Sequence, residues 1–187
     1  MRYEIALGFL ENINFEAVQT TNLASEPYTL RMSLLRETAL KIIVPLFVEN
    51  PAQKKTFAQL EANLEQSKTI IETRVIKTAS QNLEKHRATL QHIIGIERWG
   101  TARLKVALGE PFKSDGQKDY HPDSSLDLTQ LLPQFTSTRL ETLRVVKLLE
   151  QQNSSIKIVH NNFGPISVKG WLGYLNVHGE IESRKLR

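Results

Sequence analysis

The sequence predicts an all-α fold: a four-helix bundle with an extra helical segment at its N-terminal end. Three observations predict it. Apolar residues recur at helical spacing through four long segments, and no stretch reads convincingly as a strand with period-2 alternation. Nine glycines and seven prolines are scattered thinly over 187 residues, leaving room for long uninterrupted helices. Hydrophobic residues at 40% and charged residues at 24% describe an ordinary globular chain, long enough for one good core.

Taken in order, residues 3–19 hold Ile5, Ala6, Leu7, Phe9 and Leu10, then Ile13, Phe15 and Val18, and read as helix. Asn22 to Tyr28 is a turn. A second helix is expected over residues 29–48, with Leu34, Leu35, Ala39 and Ile42 on one stripe. Pro45 should kink or end it, because proline removes a backbone donor and clashes with the preceding turn. Residues 1–50 are thus an N-terminal helical extension, packed on the bundle or supplied to a partner chain as in a homodimer. Residues 51–187 form the bundle, and the whole is expected to be a single compact domain.

Within the bundle, residues 55–79 place Phe57, Leu60, Leu64, Ile71 and Val75 at helical spacing. The next helix runs over residues 88–108 and stops at Gly109 and Pro111, a glycine-then-proline ending. Residues 110–126 are the longest polar stretch and read as a loop. Asp127 or Thr129 then caps a helix reaching residue 151, with Leu131, Phe135, Leu143, Val146 and Leu149 turned inward. Pro133 is tolerated there because it falls in the first turn or two. A loop with Asn161, Asn162, Gly164 and Pro165 leads to Ser167, the expected N-cap of the last helix. That helix runs from Val168 almost to the C-terminus, where Arg184, Lys185 and Arg187 suit the negative end of its dipole.

Composition excludes several classes. With no cysteine there are no disulfides, iron–sulfur clusters, thiolate zinc sites or cysteine nucleophile. The longest apolar run, residues 42–48, is far shorter than the ~20 residues of a spanning helix. The N-terminus lacks the apolar stretch of a signal peptide. The expectation is a soluble, cytoplasmic protein with no membrane partner. Net charge is +4, with a pI of 9.3, but 24 basic residues are interleaved with 20 acidic ones, and a charge excess without a patch argues against a nucleic-acid partner. No His-Glu-x-x-His, P-loop, Gly-x-Gly-x-x-Gly or Gly-x-Ser-x-Gly motif occurs, which argues against common metalloprotease, nucleotide-binding and serine-hydrolase designs.

The last helix carries the informative pattern. Trp171, Leu175, His178 and Glu182 are spaced by four, three and four residues, so they line one face. Trp171 and Leu175 turn that face to the core, so His178 and Glu182 lie on or beside an apolar stripe, where an unpaired charge is costly. A neutral imidazole and a carboxylate one turn apart can hold a divalent cation between them, since both are deprotonated near pH 7. His92, among Leu90, Ile93, Ile96 and Trp99, is the best third ligand. The three make a two-histidine, one-carboxylate set with open positions, suited to Zn, Ni, Fe or Mn. His160 and His121 read as loop histidines and His86 as a surface one. Trp99, Trp171, Tyr174 and Tyr120 read as core residues at helical spacing or as site lining.

Two segments carry a resemblance. The stretch from Thr89 to Trp99, with the ending Ala107-Leu-Gly-Glu110, resembles the second bundle helix of the DinB-like superfamily (DinB/YfiT-like metalloenzymes). The stretch from Asn162 to His178 resembles that family's final helix and its lead-in. The likeness covers residues 55–187 and implies a metal ligand at His92 and another at His178. The family pattern has a second histidine four residues after the first, and this chain has Glu182 there. The resemblance further implies a bundle that often dimerises. It also implies a metal-dependent transferase or hydrolase acting on a small electrophile, with an external low-molecular-weight thiol as a possible cofactor. The alternative is a non-catalytic interaction or stress-related bundle in which the site has decayed.

Overall fold

The computed structural model describes residues 44–81, 83–152 and 154–187. The helix expected over residues 3–19 lies outside that range, as does all but the end of the one expected over 29–48. Four long helices make up the described chain: α1 (Phe57–Thr78), α2 (Glu84–Val106), α3 (Leu128–Gln152) and α4 (Val168–Ser183). This is the all-α bundle that the periodicity predicts. No helix among the described residues is long and apolar enough to cross a membrane.

Local chemistry fixes the helix ends. Thr56 caps α1 in a reciprocal box, its hydroxyl accepting from the Gln59 amide while the Gln59 side chain accepts from the Thr56 amide. Asp127 and Gln130 make the same exchange at the start of α3, so Asp127 rather than Thr129 is the cap. Ser167 caps α4 as expected, accepting from the Gly170 amide at 2.9 Å. Gly109, with φ of +99°, turns the chain after α2 into a left-handed conformation that a residue with a Cβ resists. Pro133 sits inside α3 without ending it. Pro45 opens a π-helical turn, Pro45–Glu49, that runs into a short helix, Asn50–Gln53. This end of the N-terminal extension packs on α4, where Glu49 accepts from the amide and hydroxyl of Ser167.

Two expectations need correction. A short antiparallel ribbon joins α3 to α4, with β1 (Lys157–His160) paired to β2 (Gly164–Ser167) in the register Ile158 to Ile166. Its alternation spans only four residues per strand, too few to separate from a polar loop by pattern alone. Second, α2 begins at Glu84 and not near residue 88. The added turn places His86 on the stripe of Leu90, Ile93 and Glu97, so it is fully buried and not on the surface.

The four helices do not pack in sequence order. α1 and α2 each pack against both α3 and α4 and hardly touch one another, so the order around the bundle is α1, α4, α2, α3. That order makes α2 and α4 neighbours. The apolar core falls into two clusters, one around Leu64, Trp99, Val146 and Trp171, the other around Ile71, Ile93, Leu131 and Phe135. A polar layer lies between them.

Candidate metal centre

The polar layer is built on Glu97 and Arg139. The guanidinium donates to both carboxylate oxygens, at 2.6 and 2.8 Å, and also to the Leu64 carbonyl and the Ser67 hydroxyl of α1. Thr142 donates to Glu97 at 2.8 Å, and Thr101 is 2.8 Å from Thr142. Both charged side chains are almost wholly buried. Such a pair holds because the two-pronged contact and the added backbone and hydroxyl partners meet most of its hydrogen-bonding capacity, which is the condition for a buried charge to be tolerated.

Beside this layer α2 and α4 run antiparallel and close. Gly100 permits it: a Cβ there would lie 2.5 Å from Leu175 Cδ2. The close approach brings His92 of α2 to His178 of α4, with their Nε2 atoms 3.2 Å apart. Glu182, one turn beyond His178, completes the set, and one ligand atom from each of the three residues lies within 4.8 Å of the others. His178 and Glu182 are buried and His92 is half-buried. All three residues named from the sequence are therefore brought together at one place.

Electrostatics favour ligation by the imidazoles. Burial lowers the His92 pKa, and His121 and Lys185 add to the fall, while the Glu182 carboxylate and a hydrogen bond to Gln117 oppose it. Burial drives His178 well below the usual imidazole value, with His92, Lys185 and His160 acting in the same direction. Both rings are thus neutral near pH 7, as metal ligation requires. The Glu182 carboxylate receives the Lys185 ammonium on both oxygens, at 2.7 and 2.8 Å. Glu182 is 4% exposed in that pair and Lys185 is 61% exposed. This buried carboxylate is therefore held by a largely solvent-exposed cation just past the end of its own helix.

The remaining histidines divide. His121 follows the 3-10 turn Gln117–Tyr120, and its exposed ring lies 5.9 Å from that of His92, edge to face. It shares a hydrogen bond with Gln117 at 2.9 Å. His160, expected in an exposed loop, is instead buried at the end of β1. Trp99, Phe163, Trp171 and Tyr174 surround it with ring centres 4.2 to 4.9 Å away. Its Nδ1 accepts from the amides of Asn162 and Phe163, which leaves the proton on Nε2. Burial lowers its pKa to about 3, with Arg103 adding to the effect. His86 has no hydrogen-bond partner among the described residues and stands away from this set. Trp99, Trp171 and Tyr174 belong to the core. Tyr120 donates to Asp115 at 2.7 Å.

Sequence reasoning missed Lys185 as the partner of Glu182, although a three-residue helical spacing was there to read. It also missed the Glu97–Arg139 layer, whose members lie 42 residues apart on different helices. A surface cleft between α2 and α3, lined by Arg98, Thr101, Lys105, Lys113 and Glu141, does not include the histidine set. No family model matches the chain, and neither a curated protein nor a solved structure does.

Proposed function

We propose that this chain is a divalent-metal-dependent enzyme acting on a small electrophile, as a hydrolase or as a transferase of an external low-molecular-weight thiol. The observation that carries the reading is the meeting of His92, His178 and Glu182 from two helices within 4.8 Å, beside a polar layer that does not use them. The likeness of the segments around His92 and His178 to DinB-like proteins supports it. A Zn, Ni, Fe or Mn ion held there would lower the pKa of a bound water or thiol and so supply a nucleophile at neutral pH. The chain's own part is to present two neutral imidazoles and one carboxylate, two of the three buried, at the edge of the apolar core, with the Tyr174 ring against His178. Because the chain lacks cysteine, any thiol nucleophile comes from outside it.

A second reading is favoured by one specific contact. Lys185 engages both oxygens of Glu182, as it would in a non-catalytic bundle whose site has decayed. Turnover separates the two. Protein loaded with each of the four metals is assayed on activated esters, epoxides and unsaturated acids, with and without a low-molecular-weight thiol. The enzyme reading predicts turnover that needs the metal and disappears in His178→Ala. Metal-independent or absent turnover across the panel, with no metal retained, favours the decayed bundle.

A further inference from the structure

We infer that His121, carried on the loop between α2 and α3, is a fourth ligand of the metal centre. The inference rests on the three-residue reading above and adds a residue from outside the bundle helices. A Cβ at Gly95 would fall on the His121 ring, 2.7 Å from Nε2, so the imidazole occupies a notch in α2 that only glycine leaves open. Gly95 lies on the helical turn that follows His92, which puts the notch beside the first ligand.

His121 stands just outside the three-residue set whose ligand atoms lie within 4.8 Å of one another, so it joins the ion by a small swing of its ring. Two imidazoles bound to one ion through nitrogens at ~2.1 Å hold their ring centres about 5 to 6 Å apart. His92 and His178 are 5.0 Å apart by this measure, and His92 and His121 are 5.9 Å apart. His121 Nε2 donates to Gln117 Oε1 at 2.9 Å, a bond that ligation would exchange for the metal.

The loop is also built to hold its place. Arg103, buried in α2, takes Asp115 by its carboxylate at 2.8 Å and by its carbonyl at 3.0 Å. Asn161 donates to the same carbonyl. Tyr120, next to His121 in the chain, donates to the other Asp115 oxygen. A polar loop that merely connected two helices would not need a buried arginine to fasten it. With His121 the donor set becomes three nitrogens and one carboxylate oxygen, and the fourth ligand is the exposed one, so it is the one that substrate can displace.

Cobalt(II) titration of the full chain tests this, with the dissociation constant and the visible ligand-field spectrum as readouts. His121→Ala is expected to weaken cobalt binding by at least about tenfold and to change the spectrum. Gly95→Ala keeps the histidine but expels it from the notch, so it should produce the same loss. The double variant should lose no more than either single one. Unchanged affinity and spectrum in His121→Ala, with binding abolished in His178→Ala, would overturn the fourth ligand and leave the three-residue centre intact. Failure of the unaltered chain to bind cobalt would overturn both. Far-ultraviolet circular dichroism on each variant ensures that the comparison is between folded proteins.

Discussion

Glu97 on α2 and Glu182 on α4 are both buried helical carboxylates, at 1% and 3% exposure, yet they are satisfied in opposite ways. Glu97 meets a buried arginine from another helix in a two-pronged pair, and a threonine hydroxyl takes up more of its capacity. Glu182 meets a lysine three residues on, whose side chain is mostly in solvent, and faces two neutral imidazoles. The difference teaches how to tell a structural charge from a functional one. A charge whose partners are all buried and fixed belongs to the fold. A charge whose counter-ion can swing away leaves a place that another cation can take.

The contrast breaks most visibly in stability. Arg139→Met leaves Glu97 buried without its partner and should cost about 3–5 kcal/mol in urea unfolding. Lys185→Ala, at the other carboxylate, should cost clearly less than Arg139→Met, because the ammonium it removes is mostly in water, although Glu182 is then left buried without its cation. Equal losses in the two variants would erase the distinction.

The histidines sharpen it next. His160 is sealed among aromatic rings, with its pKa lowered to about 3 in the folded state. In the unfolded chain it returns to about 6.5. The unfolded state therefore binds the extra proton below that value, so the stabilisation is full above about pH 6.5 and is lost as pH falls toward 3. The loss is on the order of 5 kcal/mol at about 1.4 kcal/mol per unit. Chemical denaturation across that window should show a steep slope that flattens in His160→Phe. An unchanged slope would mean that the cage is not sealed.

Metal linkage comes third. Zinc at about 100 times its dissociation constant should add ~2.7 kcal/mol to unfolding stability, and Glu182→Gln should reduce that gain. The smallest effect is on affinity. Lys185→Ala removes the competing cation and should tighten zinc binding by up to about tenfold in calorimetric titration, whereas a weaker interaction would make Lys185 part of the site.

Much of this molecule was legible in its residues. The apolar spacing of Phe57 to Val75 and of Leu131 to Leu149 gives α1 and α3, because amphipathic periodicity is local information. Ser167, Gly109 and Pro111 mark helix ends for the same reason. His178 and Glu182 could be paired by their four-residue spacing, and His92 was proposed from its place in an apolar segment. What was not legible depends on the order of helices around the bundle. The Glu97–Arg139 layer and the approach of His121 to Gly95 arise only when distant segments meet. His86 and His160 were misplaced because a helix start without a side-chain cap, at Leu83, and a four-residue strand leave weak local signals.

The most direct measurement is the metal content of untagged, chelator-free protein by elemental analysis, beside a His92→Ala/His178→Ala double variant. The account predicts close to one Zn, Ni, Fe or Mn per chain in the native protein and none in the variant. No metal in the native protein even after dialysis against each ion, or the same content in the variant, would contradict it.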